Sequence, residues 1–204
     1  MYHNPNHEAG NLVAAVRVGV GHGDTAPHGT KAIYDDDYQA IKARIDALGT
    51  LSGRIDQEKA LSGVDGTSIF EDDNTSDDFA FIVETGMDIL AEKSKDLRIA
   101  CYVALGLYRT DGLGGLATGL DVLHALVDTY WENLYPAKHR MRARGAAVRF
   151  LMHRLSRAFE ADPPSPSVDD REALKHSLDR LDELQSFFME EMGEHAPITS
   201  RLKR

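Results

Sequence analysis

Residues 94–136 read SKDLRIACYVALGLYRTDGLGGLATGLDVLHALVDTYWENLYP, and this stretch decides the fold. Its first half is apolar on nearly every side, which is typical of a central helix that other helices cover. Its second half carries one apolar stripe, because its apolar residues recur every three or four positions. The residues of that stripe are Leu113, Leu116, Leu120, Leu123, Val127, Tyr130 and Leu134. The stretch therefore predicts two buried helices, joined by a tight turn at residues 111–115 and closed by an aromatic cluster.

Four further segments, near residues 34–48, 75–90, 138–159 and 169–192, show helical spacing of apolar residues and would supply the cover. The links between neighbouring segments are short, so consecutive helices are expected to be antiparallel or nearly so. No internal repeat indicates a solenoid. The predicted fold is all-α: a single domain of about six mostly antiparallel helices with a mobile N-terminal tail.

Three other segments set the predicted domain boundaries. Residues 1–32 contain five glycines, two prolines and four histidines, which predicts a flexible tail with room for a short ordered piece near residues 12–18. Residues 52–75 are predicted to form an acidic loop, with a short helical turn near residues 57–61 as an alternative. Residues 197–204 are expected to fray, because Pro197 prevents the last helix from continuing. The helical domain is therefore expected to span residues 33–196.

Charge and composition exclude some functional classes. The chain has 204 residues and a formal net charge of −10, which argues against nucleic-acid binding. No run of about 18 apolar residues is present, so membrane insertion is not expected. The single cysteine, Cys101, lies in the most apolar predicted helix, and we interpret it as a small buried side chain rather than a reactive thiol. These features predict a cytoplasmic protein.

The sequence lacks the short motifs of common catalytic and cofactor sites, including the phosphate-binding loop, HExxH, CxxC and Gly-x-Ser-x-Gly. His3 with His7, or His22 with His28, has no acidic or thiol partner at ligand spacing. An acidic cluster follows position 70, but it departs from the calcium-loop pattern, so a solvated acidic loop is favoured. Its members are Glu71, Asp72, Asp73, Asp77 and Asp78. No cofactor and no metal are predicted.

Two other groups of residues have a functional alternative. Asp121 and His124 are three positions apart on one predicted helix and so could touch, but no nucleophile accompanies them, and a solvent-facing polar pair is favoured. Tyr130, Trp131 and Tyr135 would suit an aromatic wall around a ligand, although aromatic residues at helical spacing more often pack a core. The residues alone predict a helical interaction module; a helical regulatory or ligand-binding domain is one alternative, and an enzyme that uses Asp121 and His124 is the other.

The segment that follows Pro136 is strongly basic and has no acidic residue until its last turn. Two interpretations carry equal weight: the arginines form a basic surface for phosphate or an acidic partner protein, or they pair with carboxylates of the same fold. Nucleic acid is the weaker form of the first, because no aromatic residues are regularly interleaved for base stacking. The candidate partner-binding residues are Arg140, Arg142, Arg144, Arg149, Arg154 and Arg157.

Three motifs occur in order along the central stretch: Lys95-Asp96-Leu97-Arg98, Asp111-Gly112-Leu113-x-Gly115-Leu116, and Tyr130-Trp131-x-x-Leu134-x-Pro136. Together they resemble the ImpA N-terminal domain, which belongs to the TssA proteins of bacterial type VI secretion systems. Upstream, Tyr34-Asp35-x-x-Tyr38 and Leu51-Ser52-Gly53 are similar to the start of that domain. Downstream, Arg142-Ala143-Arg144-Gly145-Ala146 is similar to its next helix, so the resemblance covers about residues 33–159.

The resemblance implies a non-enzymatic assembly protein that acts at the baseplate and at the growing end of the contractile sheath and tube. Its partners would be baseplate, sheath or tube proteins, and a homo-oligomer is a further expectation. No catalytic residues carry over from the family, and docking would fall to the exposed arginines among residues 140–157. The motif residues would mainly hold the fold: Asp96, Leu97, Arg98, Asp111, Gly112, Gly115, Tyr130, Trp131 and Pro136.

Overall fold

A computed structural model describes residues 5–20, 27–62, 73–161, 163 and 168–197. Within these ranges the fold is all-α, as predicted, with six α-helices and no β-strand. The helices are α1 Pro5–Arg17, α2 Asp36–Ser62, α3 Asp73–Asp88, α4 Leu97–Tyr130, α5 Met141–Ala161 and α6 Val168–Met192. A π-helical turn, Ile89–Lys93, follows α3. Among the described helices, none combines the length and apolar character that a membrane span requires.

The two helices predicted for the central stretch are the two halves of α4. The helix changes direction at Gly112, whose φ of 60° and ψ of −138° lie outside the helical region. The second half then packs against the first, and small residues permit the close approach. A β-carbon on Gly115 would lie 1.9 Å from the carbonyl oxygen of Leu107, and one on Gly119 would lie 2.6 Å from the α-carbon of Ala104. The predicted glycine-rich turn is confirmed.

The first half of α4 is the centre of the core, and Ile99, Cys101 and Val103 have no exposed surface. Helix α3 packs on one side of it, where a β-carbon on Gly106 would lie 2.7 Å from the side chain of Val83. Helix α5 packs on another side through two edge-to-face aromatic pairs, Tyr102 with Phe150 and Tyr108 with Phe159. Helix α6 covers the end of the second half. The prediction that α4 is covered on several sides is therefore confirmed.

The loop predicted at residues 52–75 is wrong over part of its length. Helix α2 continues through residues 52–62, and α3 already begins at Asp73, while residues 63–72 lie outside the described residues. Residues 55–61, IDQEKAL, are mostly strong helix formers, so the helix continues although its apolar periodicity is weak. Gly49 and Gly53 lie inside α2, and each glycine costs a helix only about 1 kcal/mol.

The ordered piece predicted near residues 12–18 is longer than expected, because α1 begins at Pro5. It packs against the core: Val16 is fully buried, and the hydroxyl of Tyr130 donates a hydrogen bond of 2.9 Å to the carbonyl of Arg17. The backbone of Thr30 donates to the carbonyl of Lys93 at 3.1 Å. The folded body therefore includes residues before the predicted boundary at residue 33. The tail predictions for residues 1–4 and 21–26, and the fraying expected for residues 198–204, lie outside the described residues.

Candidate functional site

The six candidate arginines do not form one surface. Four of them, Arg140, Arg142, Arg149 and Arg157, are exposed, whereas Arg154 is half-buried and Arg144 is buried. Three of the exposed residues lie on α5 at positions i, i+7 and i+15, which places them along one face of the helix. Arg140 lies in the short helical turn that leads into α5. We define these four exposed arginines as the α5 basic surface.

The side chains of two residues of the α5 basic surface make no ion pair or hydrogen bond within the described part of the chain, namely those of Arg140 and Arg142. Arg149 donates a hydrogen bond of 3.2 Å from Nη1 to the carbonyl of His195, which fixes its position without neutralising its charge. The exposed imidazole of His153 lies on the same face, one turn after Arg149. For Arg140, Arg142 and Arg149 the structure therefore favours a solvent-facing basic surface over pairing with carboxylates of the same fold.

Arg144 is a correction to the predicted docking set, because its side chain has no exposed surface. Its guanidinium donates from Nε to Pro136 O at 2.6 Å, from Nη1 to Trp131 O at 2.7 Å and from Nη2 to Leu134 O at 2.8 Å. Burial lowers the pKa of the Arg144 guanidinium to about 10, so the group still carries its charge at neutral pH. Arg144 holds the turn that follows α4.

A sequence signal for this role was present. Arg144 is three positions after Met141 and four before Val148, so it lies on the apolar stripe of α5 rather than on the exposed face. An arginine within an apolar stripe is expected to be buried with its hydrogen-bond donors satisfied. The arginines on either side of Arg144 make it look like one more exposed member of the basic segment.

Arg154 is also a packing residue. Its guanidinium lies 5.3 Å from the ring centroid of Phe150, and a β-carbon on Gly49 of α2 would lie 2.5 Å from its Nη2 atom. Burial, and then the neighbouring charge of Arg157, lower the pKa of Arg154. Its charge therefore lies between α5 and α2, outside the α5 basic surface.

The Lys95–Arg98 motif joins the two ends of α4. The Asp96 carboxylate caps the helix by accepting a hydrogen bond of 2.9 Å from the backbone of Arg98, and it also pairs with the Arg98 guanidinium. The backbone of Leu97 donates to Tyr135 O at 2.7 Å, and the backbone of Tyr135 donates to Lys95 O at 2.8 Å. The sequence around Pro136 therefore lies directly beside the start of the helix.

Lys95 is a buried charge that the sequence analysis did not single out. Its ammonium donates to the carbonyl of Leu90 at 2.6 Å and lies 5.3 Å from the ring centroid of Tyr130. The side chain has no exposed surface, and burial lowers the pKa of Lys95 to about 8. Its position between the π-helical turn and α4 gives it a structural role at this junction.

The aromatic cluster at the end of α4 is filled by protein side chains. Trp131 is 5% exposed, its ring packs edge to face on Phe187 at 4.9 Å, and its Nε1 donates to the Glu191 carboxylate at 2.6 Å. The guanidinium of Arg144 covers the ring at 4.4 Å. Trp131 therefore offers no open wall to a ligand. An open groove of about 480 Å³ lies elsewhere, beside Thr30, Asp35 and Lys93.

Asp121 and His124 do not form a pair with each other; both contact α6. Asp121 accepts a hydrogen bond of 2.7 Å from Arg180 Nε and lies 2.9 Å from the His176 ring nitrogen. His124 lies 3.7 Å from the Glu183 carboxylate, and burial followed by the charge of Arg180 lowers the pKa of His124. The solvent-facing polar pair that the sequence favours is therefore not formed, because each of the two side chains meets its own partner on α6.

The remaining candidate groups are the histidines, the acidic cluster and Cys101. No cluster of histidine, cysteine and acidic side chains in the described residues is suited to a metal ion; His3, His22, Glu71 and Asp72 lie outside those residues. Cys101 is fully buried, and burial strongly raises the pKa of its thiol, which disfavours the reactive thiolate.

Comparisons with known proteins agree with the helical fold. A family described as the N-terminal region of ImpA of the type VI secretion system matches residues 23–153. A solved structure is similar to the chain, namely the N-terminal domain, including the conserved ImpA N-terminal region, of the TssA component of the type VI secretion system from Burkholderia cenocepacia. The two are 16% identical, with a TM-score of 0.64 over 94% of this chain and 87% of that one. No curated protein sequence matches the chain.

Proposed function

The chain belongs to the ImpA N-terminal family of type VI secretion proteins, and from this premise we propose that it is a non-enzymatic docking module in the assembly of the secretion machine. It would act in the cytoplasm, at the baseplate and at the sheath and tube of the secretion machine. The proposal assigns docking to the α5 basic surface, whose partner would be an acidic face of a baseplate, sheath or tube protein.

The observation that carries this proposal is the one-signed, solvent-facing charge of α5. Arg140 and Arg142 make no ion pair in the described part of the chain, and Arg149 is held by a backbone carbonyl only. A surface of one sign speeds association with a partner of the opposite sign and contributes specificity. Arg140 and Arg142 form no ion pair that would stabilise the described fold, so their position beside Arg149 is better explained by binding than by stability.

Two features of the core support the non-enzymatic part of the proposal. The side chains with a catalytic alternative, Asp121 and His124, are both engaged by α6. The cluster with a ligand-binding alternative is closed, because Phe187 and Arg144 cover the ring of Trp131. Rigid helices that present a charged face suit protein docking better than turnover.

The test is a pull-down of the full chain against purified baseplate, sheath and tube components at about 0.05 M and about 0.5 M salt, because screening by salt weakens contacts between exposed charges. We expect at least one component to be retained at low salt and lost at high salt. Retention that does not depend on salt would contradict docking through the α5 basic surface and point to an apolar contact. Retention of no component would contradict the proposal.

A further inference from the structure

Helix α3 carries an exposed acidic face whose spacing matches that of α5. Asp77, Glu84 and Asp88 are all exposed and occupy positions i, i+7 and i+11. These intervals correspond to about 10.5 Å and about 16.5 Å along a helix, and they put the three carboxylates on one face. None of the three carboxylates makes an ion pair or hydrogen bond within the described residues. We define these carboxylates as the α3 acidic surface.

The same intervals occur on the exposed face of α5, where Arg142, Arg149 and His153 also occupy i, i+7 and i+11. If the two helices lay side by side in parallel, each basic group would therefore oppose a carboxylate.

The two surfaces cannot meet within one molecule. On α4, helix α3 packs against Ile99, Val103 and Gly106, whereas α5 packs against Tyr102 and Tyr108. Helix α2 lies between them, because Arg154 of α5 contacts α2 at Gly49 and Asp78 of α3 pairs with Arg44 of α2, so each charged row points to solvent on its own side of the molecule. The basic row on α5 can nevertheless meet the acidic row on α3 of a second copy, because every copy carries both rows.

We propose that the α5 basic surface of one copy binds the α3 acidic surface of a second copy. This inference rests on the proposed use of α5 for docking, and it names one partner of that surface. The contact is heterologous, since it joins two different patches, so each added copy leaves one surface of each sign free for the next. A secretion component that docks on α5 would have to displace the neighbouring copy.

The contact is expected to be weak in solution. Exposed ion pairs contribute little individually, and the net charge of −10 makes copies repel each other at longer range. We therefore expect a dissociation constant on the order of 0.1 to 1 mM. It would become effective only where chains are held close together, because tethering raises the local concentration.

The test is sedimentation velocity on the full chain from about 0.01 to about 1 mM at low salt, with charge-reversed variants. Arg142→Glu with Arg149→Glu removes the net positive charge of the α5 basic surface, and Glu84→Lys with Asp88→Lys makes the α3 acidic surface basic. Either pair of changes should weaken self-association about tenfold or more. The four changes combined keep the net charge at −10 and exchange the charges at these four positions between α5 and α3. They should restore wild-type association.

An equimolar mixture of the two reversed variants should also associate, because each supplies the surface that the other lacks. The inference is overturned if the wild-type chain stays monomeric throughout the series, or if the four-fold variant associates no better than the single pairs. A monomeric chain that still retains a secretion component would overturn only this inference. A chain that self-associates but retains no component would instead overturn the proposed function.

Discussion

The guanidinium of Arg144 lies 4.4 Å from the ring centroid of Trp131 and also donates a hydrogen bond of 2.7 Å to the carbonyl oxygen of the same residue. Two further donors of the guanidinium bond the carbonyls of Leu134 and Pro136. One side chain of α5 thus fixes the whole turn after α4. The charges of α5 are therefore divided: the buried Arg144 serves the fold, while the side chains of Arg140 and Arg142 make no ion pair or hydrogen bond within the described residues.

Arg144→Met should destabilise the protein strongly. The change leaves three buried carbonyl oxygens without a donor, and we expect a loss of about 3 kcal/mol or more in the free energy of unfolding. Urea denaturation followed by circular dichroism measures this loss. The matched control is Arg142→Met on the exposed face, which should change stability by less than about 0.5 kcal/mol. Similar losses for the two variants would contradict the assigned role of Arg144.

Lys95 should make stability depend on pH in the alkaline range. Burial lowers its pKa from 10.5 to about 8, so between these values the unfolded chain holds a proton that the folded chain has released. The contribution of Lys95 to the free energy of unfolding therefore rises with pH between about pH 8 and 10.5, and it levels off at lower pH. Between pH of about 7.5 and about 9.5, the expected gain is about 2 kcal/mol.

Lys95→Met is the variant that isolates this effect. Its free energy of unfolding should lack the alkaline rise, so the value for the wild type minus that for the variant should increase by about 2 kcal/mol between pH of about 7.5 and about 9.5. Measurements should stop near pH 9.5, because burial raises the pKa of Tyr38 and Tyr102, and ionisation of tyrosines in the unfolded chain then opposes folding. A wild-type profile parallel to that of the variant would show that Lys95 is not a buried charge.

The turn within α4 offers a pair of neighbouring glycines with opposite expectations. A β-carbon on Gly115 would lie 1.9 Å from Leu107 O, whereas one on Gly114 would have no atom within 4 Å. Gly115→Ala should therefore cost about 2 to 3 kcal/mol, because the backbone segments must move apart. Gly114→Ala should be neutral or stabilise by less than about 1 kcal/mol, since alanine favours helix. Thermal denaturation distinguishes them, and equal midpoints would refute this packing.

Most of the core could be predicted from the sequence because its apolar spacing is regular. The stripe from Leu113 to Leu134 is buried as expected, and the glycines at 112 and 115 mark the reversal. The extent of α1 and α2 was harder to predict. Residues 55–61 depend on helix propensity rather than periodicity, and α1 is short, so its docking on α4 is a tertiary effect.

The sequence predicts that the candidate site is basic, but it does not predict which arginines are exposed there. Six arginines within 18 residues indicate a basic segment, yet only the helical register separates Arg144 and Arg154 from the exposed set. The partners of Asp121 lie on α6, more than fifty positions along the chain, and no local pattern indicates them. Contacts of this kind depend on how helices pack, which the spacing of charges does not reveal.

The most direct test of the docking account is the affinity of the full chain for the secretion component that it retains, measured for two charge-reversed variants. Arg142→Glu with Arg149→Glu alters the α5 basic surface. Arg171→Glu with Lys175→Glu makes the same change in net charge at exposed positions of α6. The account predicts that the first pair weakens binding about tenfold or more at low salt, with helicity unchanged, while the second has little effect. Equal losses for both pairs, or none for the first, would contradict it.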